Sequence, residues 1–282
     1  MADNAPQIQY RQEYIAAYEQ HMSLLRDTVT TEAQFKGNQA VFLVAGSGGA
    51  NAATRGSNGM IPARPDSNTQ NTATLQEWHD LVRKTGFNIF ESQGNQRAIM
   101  QMTSIAVLNR KTDGLITAAL DTGTVAIGAA GTIPNVSLVM NGTVKLQNAA
   151  VPWDQNITLL CQPSFLAYLV QGPEWASADY VDMRPFAGKD PNWRDRPQAF
   201  RWMNMLVLSH PNLSGRGTNA EKSYIYHKGS IGHAMNVDGL KTPIGYFEEQ
   251  DYSWARATAF MGAVVMQNTG IVVITHDGSA YA

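Results

Sequence analysis

From residue 46 to residue 72 the chain reads GSGGANAATRGSNGMIPARPDSNTQNT, and Gly, Asn, Ser, Thr and Pro make up most of it. Such a segment is a poor regular core element. Gly56, Gly59, Pro62 and Pro65 interrupt any helix. An irregular stretch of this length is uncommon inside a compact domain and marks either disorder or a projecting functional loop. The 282 residues as a whole are ordinary for folded protein, 44% apolar and 16% charged, and suffice for one large domain or two modest ones. The fold must place a packed body on both sides of a segment that leaves it.

The flanks are readable in part. QAVFLVAG, residues 39–46, is apolar and β-branched and predicts a strand. A strand followed by Gly46, Gly48 and Gly49 is the opening of a dinucleotide-binding turn, but the sixth position is Asn51 and no helix can follow. A phosphate-cradling loop also fails, for want of Gly-Lys-Ser/Thr. Beyond the segment, TLQEWHDLVRKTGFNIFES leaves two readings open. Thr74 and Glu77 have capping-box spacing, with Leu75, Trp78 and Val82 on one helical face and Gly86 as the stop. FNIF, by contrast, predicts a short strand, and pairing of this region with 39–45 would make the Gly-rich segment the tip of a long hairpin.

Helical periodicity places two further elements. Ile8, Ile15, Tyr18, Met22 and Leu25 predict an amphipathic helix over 8–28, an N-terminal arm that packs either on its own domain or on a neighbour. Residues 95–120 predict the longest helix, with Ile99, Met102, Ile105, Ala106, Asn109, Thr112, Ile116 and Leu120 as a core stripe. TGTVAIGAAGTIP then reads as a turn-rich connection, and 134–148 as a helix opened by Pro134. From Asn156 onward short strands follow, ITLLC, YVDMRPF, AFRWMNMLVLSH and KSYIYHKG, with a helix from Pro163 to Gly172 among them. The last two apolar runs, around Gln267 to Gly270, predict an antiparallel pair beside the long helix. The fold class is mixed α+β, with a second domain inserted before the final strands.

Catalytic chemistry is not evident. The histidines at 21, 79, 210, 227, 233 and 276 lack zinc-ligand spacing, and His227 and His233 read as polar loop or surface residues. Ser230 sits in GSIG rather than in a nucleophile elbow. Cys161, the single cysteine, lies in an apolar run and reads as buried and structural. Glu248 and Glu249 are sequential and suit an exposed turn, and the six tryptophans are spread through every region as core or interface anchors. No catalytic, cofactor-binding or metal-binding residue is nominated. With a net charge of −2 and scattered Lys and Arg, the chain shows no electrostatic footprint for a phosphate backbone. No run approaches the ~18 apolar residues of a membrane span, and MADNAPQIQY lacks the basic and apolar regions of a secretory signal, which suggests a cytoplasmic start.

Taken in order, the arm, the Gly-rich loop, FNIFESQGNQRAIMQMTSIAVLNRKTDGLITAAL and the later NITLLCQPSFLAYLV, ADYVDMRPF, RPQAFRWMNMLVLSHPNLSG and AFMGAVVMQNTGIVVITHDG resemble the Hong Kong 97-like fold of tailed-bacteriophage major capsid proteins. The resemblance implies an arm over 1–36 and an extended loop over 37–92 with its tip at about 46–72. It also implies a peripheral domain with a spine helix from 93–155 and 255–282, and an axial domain over 156–254. It implies a non-enzymatic head protein that self-assembles into pentamers and hexamers of an icosahedral shell around double-stranded DNA, without sequence-specific binding and without a membrane. Scaffolding, portal and cement proteins are the implied partners, and the virion capsid the location, after the host cytoplasm. An encapsulin-like compartment and a dinucleotide-binding enzyme are the alternatives. Some members of the family join subunits covalently through a lysine in the extended loop; residues 37–83 contain none, so a non-covalent shell is expected.

Overall fold

The computed structural model describes residues 20–35, 37–64, 66–86, 96–173, 199–236 and 240–281. The strands are β1 (Thr30–Phe35), β2 (Gln39–Gly46), β3 (Ser67–Thr74), β4 (Gln76–Thr85), β5 (Val125–Gly128), β6 (Ile157–Cys161) and β7 (Ala199–Trp202). They continue as β8 (Met205–Ser209), β9 (Glu221–His227), β10 (Ile231–Asn236), β11 (Ile244–Phe247), β12 (Tyr252–Val265) and β13 (Ile271–His276). The described α-helices are α1 (Gln96–Asp121), α2 (Val136–Asn148) and α3 (Pro163–Gln171). The mixed α+β class is as expected.

A five-stranded sheet runs β1-β10-β12-β11, with β4 also paired to β12. Of the ambiguous segment after the loop, residues 76–85 are strand, not helix. All ten residues of β4 pair antiparallel with β12, from Thr85 opposite Tyr252 to Gln76 opposite Met261. Its alternation puts Trp78, Asp80, Val82 and Lys84 on the half-buried side, where the Lys111 ammonium of α1 lies 3.7 Å from the centre of the Trp78 ring. A capping-box spacing is a local preference, and ten ladder pairs outweigh it.

α1 lies across this sheet on a ladder of small side chains. Ala255, Ala257 and Ala259 of β12 are buried beneath it and let the helix approach closely. Its 26 residues span about 39 Å. Ala106, Thr112, Ile116 and Leu120 are buried as expected, but Met102 is 46% exposed. In the first half Met100, Ser104 and Leu108 are also buried, and Leu108 packs on the sheet with Ala257, Ala259 and Met261.

The second sheet has the order β5-β13-β9-β6-β8-β7. One face carries α2 and α3 through Leu138, Val139, Leu146, Phe165 and Leu169. The other receives the second half of α1, where Ile116 and Leu120 meet Leu160, Tyr224 and Tyr226. One helix thus serves both sheets. α2 starts two residues after the expected opening Pro134, because Asn135 caps it by accepting from Leu138 N at 2.9 Å. AFRWMNMLVLSH is a hairpin rather than one strand, its turn made by Met203 and Asn204 at φ of 51° and 62°.

Three further expectations are corrected. The final two strands do not pair: β12 belongs to the five-stranded sheet, while β13 inserts between β5 and β9 in the other. The turn-rich connection contains β5, parallel to β13. The helix over 8–28 does not reach its expected end, since Arg26–Thr28 is a single 3-10 turn and β1 follows; residues 8–19 lie outside the described residues, as do FNIF and YVDMRPF. Consequently the sheets divide the chain otherwise than the boundaries 93–155 with 255–282 and 156–254. β10 and β11 join the spine helix's sheet, and β5, α2 and β13 join the other.

Candidate functional site

The Gly-rich segment is the tip of a paired hairpin. β2 and β3 are in register over eight pairs, Gln39 opposite Thr74 to Gly46 opposite Ser67, a reach of about 27 Å before the tip. The partner of 39–46 is β3, not the 76–85 region. At its base Ala40, Phe42 and Ala73 bury themselves against Ala234, and the Phe42 ring sits where a Cβ on Gly232 would meet it at 2.8 Å. Further out the hairpin is exposed. Leu43 is 77% exposed, and Met60 and Ile61 at the tip 69% and 70%. The tip has local order of its own: Gly56 N donates to Met60 O at 3.0 Å and Gly59 N to Gly56 O at 2.9 Å, with Gly59 at φ 79°. β2 turns into this tip and not into a helix, so Gly46, Gly48 and Gly49 do not form the phosphate turn of a dinucleotide fold.

A second exposed apolar region lies at the far end of the five-stranded sheet. Ile244, Tyr246 and Phe247 of β11 are 40–49% exposed, Phe247 stacks on Tyr252 at 5.5 Å, and the Arg83 guanidinium lies 5.1 Å from the centre of the Tyr252 ring. Glu248 and Glu249 occupy the exposed turn between these strands, as the sequence suggests. Apolar surface concentrated on edges and projections is a mark of association.

Inside the molecule the polar groups tie elements together. Asp121 at the end of α1 accepts from Ser214, from Lys222 Nζ at 3.0 Å and from Tyr224 OH at 2.6 Å. Burial pushes its carboxyl up, but these bonds outweigh it and leave the carboxyl below its ordinary range. Glu221 accepts from Ser164 and from Gly217 N at 2.6 Å. Beside it, Ser223 Oγ and His276 Nε2 are 2.9 Å apart, and His276 Nδ1 is 3.8 Å from Glu221. Serine, histidine and acid in this arrangement invite comparison with a hydrolase, but all three are at most 2% exposed. No substrate reaches them.

Cys161 is fully buried and donates to Leu208 O at 3.3 Å. Burial pushes its thiol up to about 12, which leaves it inert. His227 is half-buried beside Asp154 at 3.2 Å. The expectation of a loop or surface residue fails for His233, which is fully buried on β10. Among the described residues no three metal-ligating side chains converge.

Asp113, which no sequence motif singles out, is 1% exposed on α1 and accepts from Ser23 Oγ, Leu24 N and Leu25 N. The signal was available, since an acid directly follows Thr112 within the stripe that continues to Ile116.

The sequence matches the profile of the phage capsid protein family over residues 2–278. The chain belongs to that family. Solved structures give the same fold at low identity. A structure from Mycobacterium phage Che8 aligns over 97% of this chain and 98% of its own, with a TM-score of 0.72 and 15% identity. The capsid of Ralstonia phage GP4 covers 98% and 96% at a TM-score of 0.71 and 10% identity, and that of Cyanophage Pam1 covers 99% and 98% at 0.70 and 10%. No curated protein matches the sequence. It is a phage capsid protein with the Hong Kong 97-like fold, a structural subunit of the virion capsid. Its functional site is the set of surfaces through which capsid subunits associate with one another.

Proposed function

We propose that copies of this subunit close into the pentamers and hexamers of an icosahedral shell that encloses double-stranded DNA without reading its sequence. The six-stranded sheet with α2 and α3 serves as the axial domain, at the centres of these rings. The five-stranded sheet with α1 serves as the peripheral domain, and the β2–β3 hairpin as the extended loop across a neighbour. The observation that carries this reading is the hairpin itself, whose Leu43, Met60 and Ile61 a single chain leaves in water. Gly, Asn and Ser in its tip tolerate the small conformational differences that nonidentical lattice positions demand of one sequence. A separate scaffolding protein, a portal and cement proteins are the partners that fit, with the host cytoplasm as the place of synthesis.

The test is negative-stain electron microscopy with sedimentation, with and without a candidate scaffold, on the full chain and on a variant with residues 47–66 replaced by Asn-Gly. Shells, tubes or capsomer rings from the full chain, and their loss from the shortened one, are expected. A discrete monomer or dimer of the full chain under both conditions refutes the reading. Because 37–83 lacks lysine, assembled particles should run as single chains on denaturing gels.

A further inference from the structure

Residues 20–25 cross α1 as a strap, and one carboxylate gathers its polar groups. Asp113 Oδ1 accepts from Ser23 Oγ at 2.5 Å and from Leu25 N at 3.2 Å. Oδ2 accepts from Leu24 N at 3.0 Å and from Gln20 Nε2. His210, which follows β8, brings Nε2 to 3.4 Å of the same oxygen. One helical turn earlier, Asn109 Nδ2 donates to His21 O at 2.8 Å.

From Leu25 onward the chain is held by other means. Leu25 and Val29 are buried in the cluster that contains Ile116 and Leu120, and the Thr28 hydroxyl meets Tyr226 OH at 2.6 Å. These anchors remain whatever becomes of Asp113. The carboxylate therefore governs the register of 20–24 on α1. Held this way, Met22 stands 69% exposed, an apolar side chain offered to something outside the subunit.

We infer that Asp113 is a positioning residue for assembly: by fixing residues 20–25 in one register on α1, it presents Met22 to a second copy of this protein. The inference rests on the shell reading above. It requires a carboxylate and not merely a polar side chain of that shape. Both oxygens accept from N–H groups, Leu25 on one and Leu24 and Gln20 on the other. Asp113→Asn therefore sets an amide N–H against a donor in either orientation, while leaving no cavity.

The experiment compares Asp113→Asn with Phe165→Leu, a destabilising change beneath α3 and away from the strap. Assembly yield is read by sedimentation, thermal midpoint on the unassembled chain, and strap motion from a nitroxide on Met22→Cys, which labels selectively because Cys161 is buried. Asp113→Asn should cut shell yield about tenfold or more, the scale set by losing a charge-assisted hydrogen bond, and sharpen the nitroxide spectrum. Phe165→Leu, at an equal or larger fall in midpoint, should still assemble and leave the label unchanged. Wild-type yield from Asp113→Asn overturns the inference, as does an unchanged label in that variant. An equal assembly loss from Phe165→Leu does the same, since stability alone would then explain the defect. A wild-type chain that forms no assemblies overturns the shell reading itself, whatever the label shows.

Discussion

His233 offers a test whose sign and size both follow from its surroundings. It is fully buried on β10, and neither ring nitrogen has a hydrogen-bond partner among the described residues. Burial first, then the positive charge of Arg26, lowers its pKa to about 4, with Asp113 pulling weakly the other way. The unfolded chain takes up a proton near the ordinary value of 6.5 that the folded chain refuses until about 4. Stability from this group is therefore intact above 6.5, falls as pH drops through that window, and is fully lost below it. At about 1.4 kcal/mol per unit, the whole window amounts to roughly 3 kcal/mol, of which roughly 2 kcal/mol has gone by about pH 5. His233→Leu removes that dependence. It also removes the unpartnered ring nitrogens, a gain of about 1–3 kcal/mol near neutral pH. Urea unfolding of the unassembled chain, followed by tryptophan fluorescence at about pH 7.5 and about pH 5, measures both effects. The wild type should lose roughly 4 kcal/mol between the two, because His276 is depressed to about 4 in the same way. The variant should lose about half of that. An equal loss in the two proteins would show that the folded chain protonates His233 freely, and the reasoning from burial would be refuted.

Native Cys161 should resist thiol reagents at pH 8 to 9 and react at once in denaturant, since its thiol is fully buried and shifted to about 12; rapid native labelling would mean that β6 opens readily. Gly232→Ala would place its Cβ 2.8 Å from the Phe42 ring, and should displace the ring and lower stability by about 1–3 kcal/mol in thermal melts. An unchanged midpoint would mean that the hairpin base is not packed there.

Elements with strong internal signals were legible: α1 by length and period, α3 by Pro163 and Gly172, β6 by an unbroken apolar run. Those decided by distant partners were not. β4 carries helical cues, and among the described residues its strand pairing comes from β12, remote in the chain. Val125–Gly128 is only four residues long, and among the described residues its strand pairing is with β13. The final strands are neighbours in sequence, which favours a hairpin, but their apolar faces are wanted by two different sheets. The projecting tip was readable because composition excludes a core. The Asp113 strap was not, because its meaning lies in backbone N–H groups nearly ninety residues away.

The interior position of β13 bears on how the chain is made. Synthesis proceeds from the N-terminus, and domains generally fold as units as they emerge. Here the strand that joins β5 to β9 is residues 271–276, so six-stranded pairing stays incomplete until translation has passed them. A ribosome that stalls earlier leaves β5 without its neighbour and β9 with an open edge. Chains truncated before β13 thus lack the finished six-stranded sheet and both of the helix-packing faces it presents.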